Sequence, residues 1–249
     1  MLAVLARAWV RSTSAQRRPR LGLSRPRDAM PPQNTLFDSA AIGVELDQYS
    51  NEVNRVEEER YALSQERHTE LRIGLTLISL REGDITEADV DAVVCASNPN
   101  LRLEGGMAAA IRQRAGDTIQ EECLRRAPLQ PGEATFTSGG RLRARHVIFT
   151  AGPSGSQDEE LLTRATQSAL QVASDHGLAT VALPAIGTGL SGLPKARCAE
   201  LMLAAVVDFL DRGRTSIRRV EFCLYGTDLL SIFTQELERI RRVRDMQKR

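Results

Sequence analysis

Lysine is almost missing from this 249-residue chain, standing only at Lys195 and Lys248, so nearly all its positive charge is arginine. Arginine is largely encoded by GC-rich codons, and the bias is read as a property of the genome. With no lysine in a glycine-rich turn, no phosphate loop ending in Gly-Lys-Ser/Thr can form, which argues against nucleotide triphosphate hydrolysis. Cysteine is scarce as well. Cys95, Cys123, Cys198 and Cys223 form no CxxC pair, and three lie in apolar stretches. They are expected to be buried, reduced thiols of a cytosol-like compartment. His68, His146 and His176 lack metal-ligand spacing, so neither a zinc site nor any other metal or cofactor is expected. No run approaches the roughly 18 apolar residues of a membrane span, and no membrane association is expected. The formal net charge is only +1, without the excess a nucleic-acid binder usually carries, so direct nucleic-acid binding is not expected.

What is present falls into three parts. Residues 1–36 read as a disordered tail. Residues 1–27 hold seven arginines and no acid, with Leu2, Leu5 and Trp9 beside Arg7 and Arg11. That composition fits a mitochondrial transit peptide. It equally fits translated GC-rich sequence ahead of a start at Met30. The expected location is therefore cytoplasmic, or mitochondrial if 1–27 is a transit peptide. Residues 37–70 read as an amphipathic helix, since Ile42, Leu46, Tyr49, Val53, Val56 and Leu63 recur at helical spacing. The helix either packs on its own domain or serves a partner, an oligomer through 38–70 included.

From 71 to 249 strands alternate with helices. Strands are expected at Leu71–Leu80, Ala92–Ala96, Glu133–Thr137, His146–Ala151, Ala179–Leu183 and Arg219–Tyr225. Helices are expected at Met107–Ala115, Thr118–Arg126, Glu159–His176, Lys195–Arg212 and Leu229–Val243. Strands that are apolar throughout, such as Val181-Ala-Leu183, suit a sheet covered on both faces. The fold class is α/β, with helices on both sides of the sheet.

Two glycine-bearing loops each follow a strand and run into a helix. The first reads Asn98-Pro-Asn-Leu-Arg-Leu-Glu-Gly-Gly-Met107, and the second Ala185-Ile-Gly-Thr-Gly-Leu-Ser-Gly-Leu-Pro194. Strand–glycine loop–helix junctions offer free backbone N–H groups to phosphate, and two of them suggest a ligand with two phosphates. Glycine is needed there because a Cβ would hold the phosphate away from the amides. Ligands of such sheets sit outside the carboxyl ends of the strands.

The ordered set of motifs is more specific than either loop. It runs Gly83-Asp-Ile-Thr86, Asp91-Ala-Val-Val-Cys-Ala-Ser-Asn98, the Glu-Gly-Gly-Met loop, Ala110-Ile111 through Ala115-Gly116, Gly132-Glu-Ala134, Val147-Ile-Phe-Thr-Ala-Gly-Pro153 and Pro184-Ala-Ile-Gly-Thr-Gly189. Over about Leu71 to Val243 this resembles the macrodomain family, whose members bind ADP-ribose. The resemblance implies a three-layer α/β/α macrodomain with a mixed sheet, preceded here by the N-terminal helix. It also implies site roles. Asp84 would accept a hydrogen bond from the adenine amino group and Ile85 would pack on the base. Asn98 would hydrogen-bond the distal ribose. Gly105, Gly106 and Met107 would approach that ribose and its phosphate. Gly187, Thr188, Gly189 and Leu190 would hold the diphosphate, and Tyr225 would lie on the adenine side.

Departures from the family pattern concern chemistry. Cys95 replaces an asparagine, Glu104 a glycine, and Ala108 an aspartate that hydrolytic members use to orient or activate water. The expected function is an ADP-ribose-binding protein, with weak hydrolysis of mono-ADP-ribosylated protein or O-acetyl-ADP-ribose. Asn98 and Glu104 are then the candidate catalytic residues. Two alternatives stay open: a non-catalytic ADP-ribose reader or interaction module, and an ADP-ribose-1″-phosphate phosphatase (Appr-1-p processing). The partner is ADP-ribose or an ADP-ribosylated protein.

Overall fold

The computed structural model describes residues 55, 69–155 and 158–247. The tail expected over 1–36, and the helix expected over 37–70 apart from residues 55, 69 and 70, lie outside them.

The described residues form a seven-stranded sheet in the order β1-β2-β7-β6-β3-β5-β4. The strands are β1 (Glu70–Ile73), β2 (Thr76–Glu82), β3 (Ala92–Ser97), β4 (Ala134–Ser138), β5 (His146–Ala151), β6 (Thr180–Leu183) and β7 (Arg219–Leu224). Inner neighbours pair parallel, while β1 on β2 and β4 on β5 pair antiparallel. The single strand expected over Leu71–Leu80 is therefore a hairpin. Gly74 adopts φ +56 between β1 and β2, a left-handed conformation that glycine enters without steric cost. The local pattern hides this turn, because Leu75 continues the apolar run although it is 73% exposed.

The α-helices among the described residues are α1 (Gly106–Ala115), α2 (Thr118–Arg126), α3 (Glu159–Asp175), α4 (Lys195–Asp211) and α5 (Thr227–Gln247). Each lies within a few residues of its expected span. Ile111, Ala115, Ile119 and Cys123 pack with Val93, Cys95, Val147 and Phe149 on one face of the sheet. Leu162, Leu170, Met202, Val206 and Phe233 pack with Val94, Ile148, Val181 and Phe222 on the other. The strands feed both cores because successive side chains alternate between faces. Cys95, Cys123, Cys198 and Cys223 are all free and buried. Burial pushes the Cys123 and Cys198 thiols up to about 12, which suits packing and not nucleophilic chemistry.

This arrangement fixes a switch point. The chain leaves β3 for α1 on one face and leaves β6 for α4 on the other, yet β3 and β6 are neighbours. The loops after these two strands therefore diverge above the sheet and leave a crevice between them. The opposite end of the sheet is stitched shut. Asp91 accepts hydrogen bonds from the amides of Ala179 (2.8 Å) and Thr180 (2.9 Å) and is paired with Arg145. Partial burial alone would raise its pKa. Arg145 and the two amides outweigh that and hold the carboxyl below the usual range.

Candidate functional site

The two glycine loops meet over the switch point. A Cβ built on Gly105 would lie 3.9 Å from Cδ1 of Leu190. Gly105, Gly106, Gly189 and Leu190 are exposed, Leu190 at 96%. Gly105 precedes α1 and provides no side-chain cap. The first N–H groups of a helix have no intrahelical partner, so those of α1 are available to an anion. Met107 is half-buried and packs against the core beneath α1.

The second loop is shaped by its glycines. Gly187 has φ +85, and a Cβ there would stand 3.0 Å from Cγ of Pro153. Its carbonyl accepts from the Leu193 amide at 3.0 Å, and the Gly189 carbonyl accepts from the Gly192 amide at 3.0 Å. The Thr188 hydroxyl turns inward and donates to the Ala185 carbonyl at 2.9 Å. Thr188 thus offers a ligand its backbone more readily than its hydroxyl.

The other end of the cleft lies at the β2–β7 edge. The Gly83 amide donates to the Leu224 carbonyl at 2.9 Å, which brings Asp84 and Tyr225 out at adjacent strand ends. Tyr225 is 84% exposed and so is no packing residue. Asp84 caps the short 3-10 turn Ile85–Glu87: Oδ1 accepts from the Thr86 amide (2.9 Å) and hydroxyl (2.7 Å). Its Oδ2 lies 3.4 Å from Arg114 of α1. Partial burial raises its pKa. The Thr86 bonds and the Arg114 charge more than offset this, so the carboxyl sits below its usual range and stays ionised. The cap leaves Oδ2 as an oriented acceptor. Ile85 is 6% exposed and packs into the core, so little of its side chain is left to lie on a base. From β2 to β3 the order passes β7 and β6. Three strand spacings of about 4.8 Å make an elongated site of roughly 14 Å.

Asn98 follows β3 directly. Its Nδ2 donates to the Arg102 carbonyl (2.8 Å) and its Oδ1 accepts from the Arg102 amide (3.2 Å). One N–H and one lone pair of the carboxamide remain for a ligand. Glu104 is exposed and directly precedes Gly105. It lies 3.6 Å from Arg102 and lines an open depression of about 450 Å³ with Ala109, Arg112, Gln113 and Arg141. Both side chains of the Arg102–Glu104 pair are largely exposed, so the pair holds the Glu104 carboxylate only weakly. Ala108 is 5% exposed and faces the core, so the first turn of α1 supplies no carboxylate. Lys195 opens α4 and is paired with Asp228.

Gln120 of α2 also belongs to the site, since its side-chain carboxamide bonds the first loop at two points. Seventeen residues separate it from Leu103, and a lone glutamine on a helix carries no local signal of such a contact.

The family profile described as Macro domain matches residues 94–202, from β3 through both glycine loops into α4. An uncharacterized protein of Thermoplasma volcanium is 42% identical over 159 residues, covering 60% of this chain and 84% of that one. An O-acetyl-ADP-ribose deacetylase of Cronobacter sakazakii is 37% identical over 168 residues, covering 64% of this chain and 93% of that one. The solved Oceanobacillus iheyensis macrodomain with ADP superposes with a TM-score of 0.65 at 28% identity, covering 70% of this chain and 96% of that one. Sequence, sheet order and the paired glycine loops over the switch point agree, and the chain belongs to the macrodomain family.

Proposed function

We propose that the cleft binds ADP-ribose, with adenine at Asp84 and Tyr225, the diphosphate on the loop Gly187–Leu190, and the distal ribose against Asn98, Gly105, Gly106 and Met107. The observation that carries this reading is the meeting of the two loops at Gly105 and Leu190, above an uncapped helix N-terminus. Two phosphates need donors from both sides, and backbone amides supply them without a counter-ion. The Cronobacter relative, named a deacetylase of an ADP-ribose ester, and the relative solved with ADP support the same ligand class.

Turnover is proposed to be weak. Hydrolysis at the distal ribose of O-acetyl-ADP-ribose or of a mono-ADP-ribosylated side chain needs an oriented water. A positioned general base contributes typically 10²–10⁴-fold. With Ala108 buried and Glu104 held only weakly by Arg102, no carboxylate of the first loop is fixed in place to do this. That absence favours a second reading, a reader that holds ADP-ribose without releasing it. Titration calorimetry with ADP-ribose, ADP and AMP, followed by hydrolysis assays on both ester substrates, separates them. Tight binding with slow turnover supports the first reading, and binding with none supports the second. Failure to bind ADP-ribose overturns both. Phosphate release from ADP-ribose-1″-phosphate would instead point to a phosphatase.

We propose a cytoplasmic location, consistent with four free, buried thiols. Import of a reporter fused to residues 1–27 into mitochondria would overturn it. Association through the 38–70 helix is likewise proposed, and a monomer by light scattering for both the full chain and residues 71–249 would count against it.

A further inference from the structure

The first loop takes its shape from a residue outside it. Leu101 lies in the left-handed region at φ 52, where a branched side chain is disfavoured, yet it is fully buried. Leu103 is buried as well, at 1% exposed. Two leucines two residues apart are thus driven into the core by a backbone that does not hold this conformation by itself. Two side-chain carboxamides hold it. Asn98 takes both polar groups of Arg102. Gln120, reaching from α2, donates from Nε2 to the Leu101 carbonyl (2.9 Å) and accepts at Oε1 from the Leu103 amide (2.8 Å). Four consecutive main-chain groups, from the Leu101 carbonyl to the Leu103 amide, are therefore met by side chains. Glu104, Gly105 and Gly106 leave directly from this clamp.

The chemistry of the fork matters. A carboxamide presents a donor and an acceptor in one plane, and it matches a carbonyl and an amide flanking one residue. An ionised carboxylate offers acceptors only. It would face the Leu101 carbonyl with repulsion, while still accepting from Leu103.

We propose that Gln120 is the positioning residue of this site, fixing with Asn98 the loop that carries Gly105, Gly106 and the open end of α1 to the distal ribose. The proposal rests on the ADP-ribose reading and deepens it. Gln120 acts through the loop and has no contact with the ligand.

The test uses the full chain and two nucleotides. ADP lacks the distal ribose, so it reports on the adenine and diphosphate regions alone. Gln120→Leu is expected to weaken ADP-ribose about tenfold, the effect of one to two unmet hydrogen bonds, and to change ADP by less than about twofold. Gln120→Glu is expected to show the same selective loss at about pH 8. Near pH 5 it should recover toward the wild type measured at that pH. The introduced carboxyl lies against a carbonyl oxygen, which raises its pKa above the ordinary value of about 4.3 and lets its protonated form donate to Leu101. Gln120→Leu has no such group and should not recover.

Equal weakening of ADP and ADP-ribose would overturn the proposal, as would full ADP-ribose affinity in Gln120→Glu at the higher pH. If the wild type binds neither nucleotide, the ADP-ribose reading itself falls. Hydrogen exchange distinguishes that outcome without a ligand. The Leu103 amide should exchange faster in Gln120→Leu, and unchanged exchange would overturn the clamp.

Discussion

In the loop after β6 the backbone largely holds itself. The Leu193 amide bonds the Gly187 carbonyl, the Gly192 amide bonds the Gly189 carbonyl, and the Thr188 hydroxyl returns to Ala185. The loop after β3 has one such internal turn, from the Leu101 amide to the Asn98 carbonyl at 2.9 Å. Its next four main-chain groups, from the Leu101 carbonyl to the Leu103 amide, are met by the carboxamides of Asn98 and Gln120, and the Pro99 carbonyl by the Leu129 amide. The two loops frame one crevice by different means. One depends on glycine conformations that no other residue enters cheaply, and the other on side chains that can be exchanged one hydrogen bond at a time. Faults in the second loop should therefore be abrupt and faults in the first graded.

The largest effect is expected at Gly187. With φ +85 and a built Cβ 3.0 Å from Pro153, Gly187→Val forces both a strained backbone and a shifted proline. Strain of about 1–3 kcal/mol at such a site should lower the melting temperature by several degrees. ADP-ribose affinity should fall by at least about 100-fold, close to 3 kcal/mol, because the amides that meet the diphosphate are displaced. Thermal melting and calorimetry check both, and a variant of unchanged affinity would show that the loop's backbone is not what holds the ligand.

Asn98→Ala comes next. It removes both bonds to Arg102 together with the proposed ribose contact, and an unmet main-chain group costs about 1–3 kcal/mol. Affinity for ADP-ribose should drop about 10- to 100-fold, and ADP affinity much less. Equal losses for the two ligands would sever Asn98 from the distal ribose.

Gly189 sharpens the contrast within one loop. A Cβ built there meets nothing within 4 Å, and its φ lies outside the left-handed range. Gly189→Ala should leave the melting temperature within about 1 °C of the parent, since no strain or clash is introduced. It should still weaken ADP-ribose several-fold, because the added methyl occupies space proposed for the diphosphate. Unchanged binding would move the diphosphate off Gly189.

The smallest expected effect is that of pH. Both loops present backbone amides, which do not titrate in the working range, and Asp84 is held below the ordinary carboxylate pKa of about 3.9 by Thr86 and Arg114 against its partial burial. A lowered pKa keeps the acceptor form as acid is added. ADP-ribose affinity of the wild type should therefore be flat from about pH 8 down to about pH 5 and weaken only as pH falls through the carboxylate range. A midpoint near neutrality would mean that another group, such as a histidine, takes part.

The apolar strands Val93-Val94 and Val181-Ala-Leu183 could be read locally because burial on both faces removes polar residues altogether. Helices α3 and α4 could be read from the helical spacing of Leu161, Ala165, Ala169 and Val172 and of Leu201, Ala205 and Phe209. The glycine loops were legible as a pair because their positions after strands are a sequence property. Glu104 could not be placed that way, since an exposed carboxylate two residues from Arg102 carries no local signal of what it faces. Gly74 was hidden inside an apolar run. The resemblance implies Asp84 as a ligand acceptor, and the structure adds that one of its oxygens is committed to Thr86.

The sequence by itself determined the alternation of strands and helices and the two glycine-bearing junctions. All of these are written in the identity and spacing of neighbouring residues. Only the tertiary structure decided that β3 and β6 stand side by side, so that the junctions share one crevice. It also decided that Tyr225 is exposed beside the turn of Asp84, and that Gln120 reaches across from α2 to hold Leu101 and Leu103. These depend on parallel pairing and on hydrogen bonds between segments far apart in the chain, where no local preference records the partner.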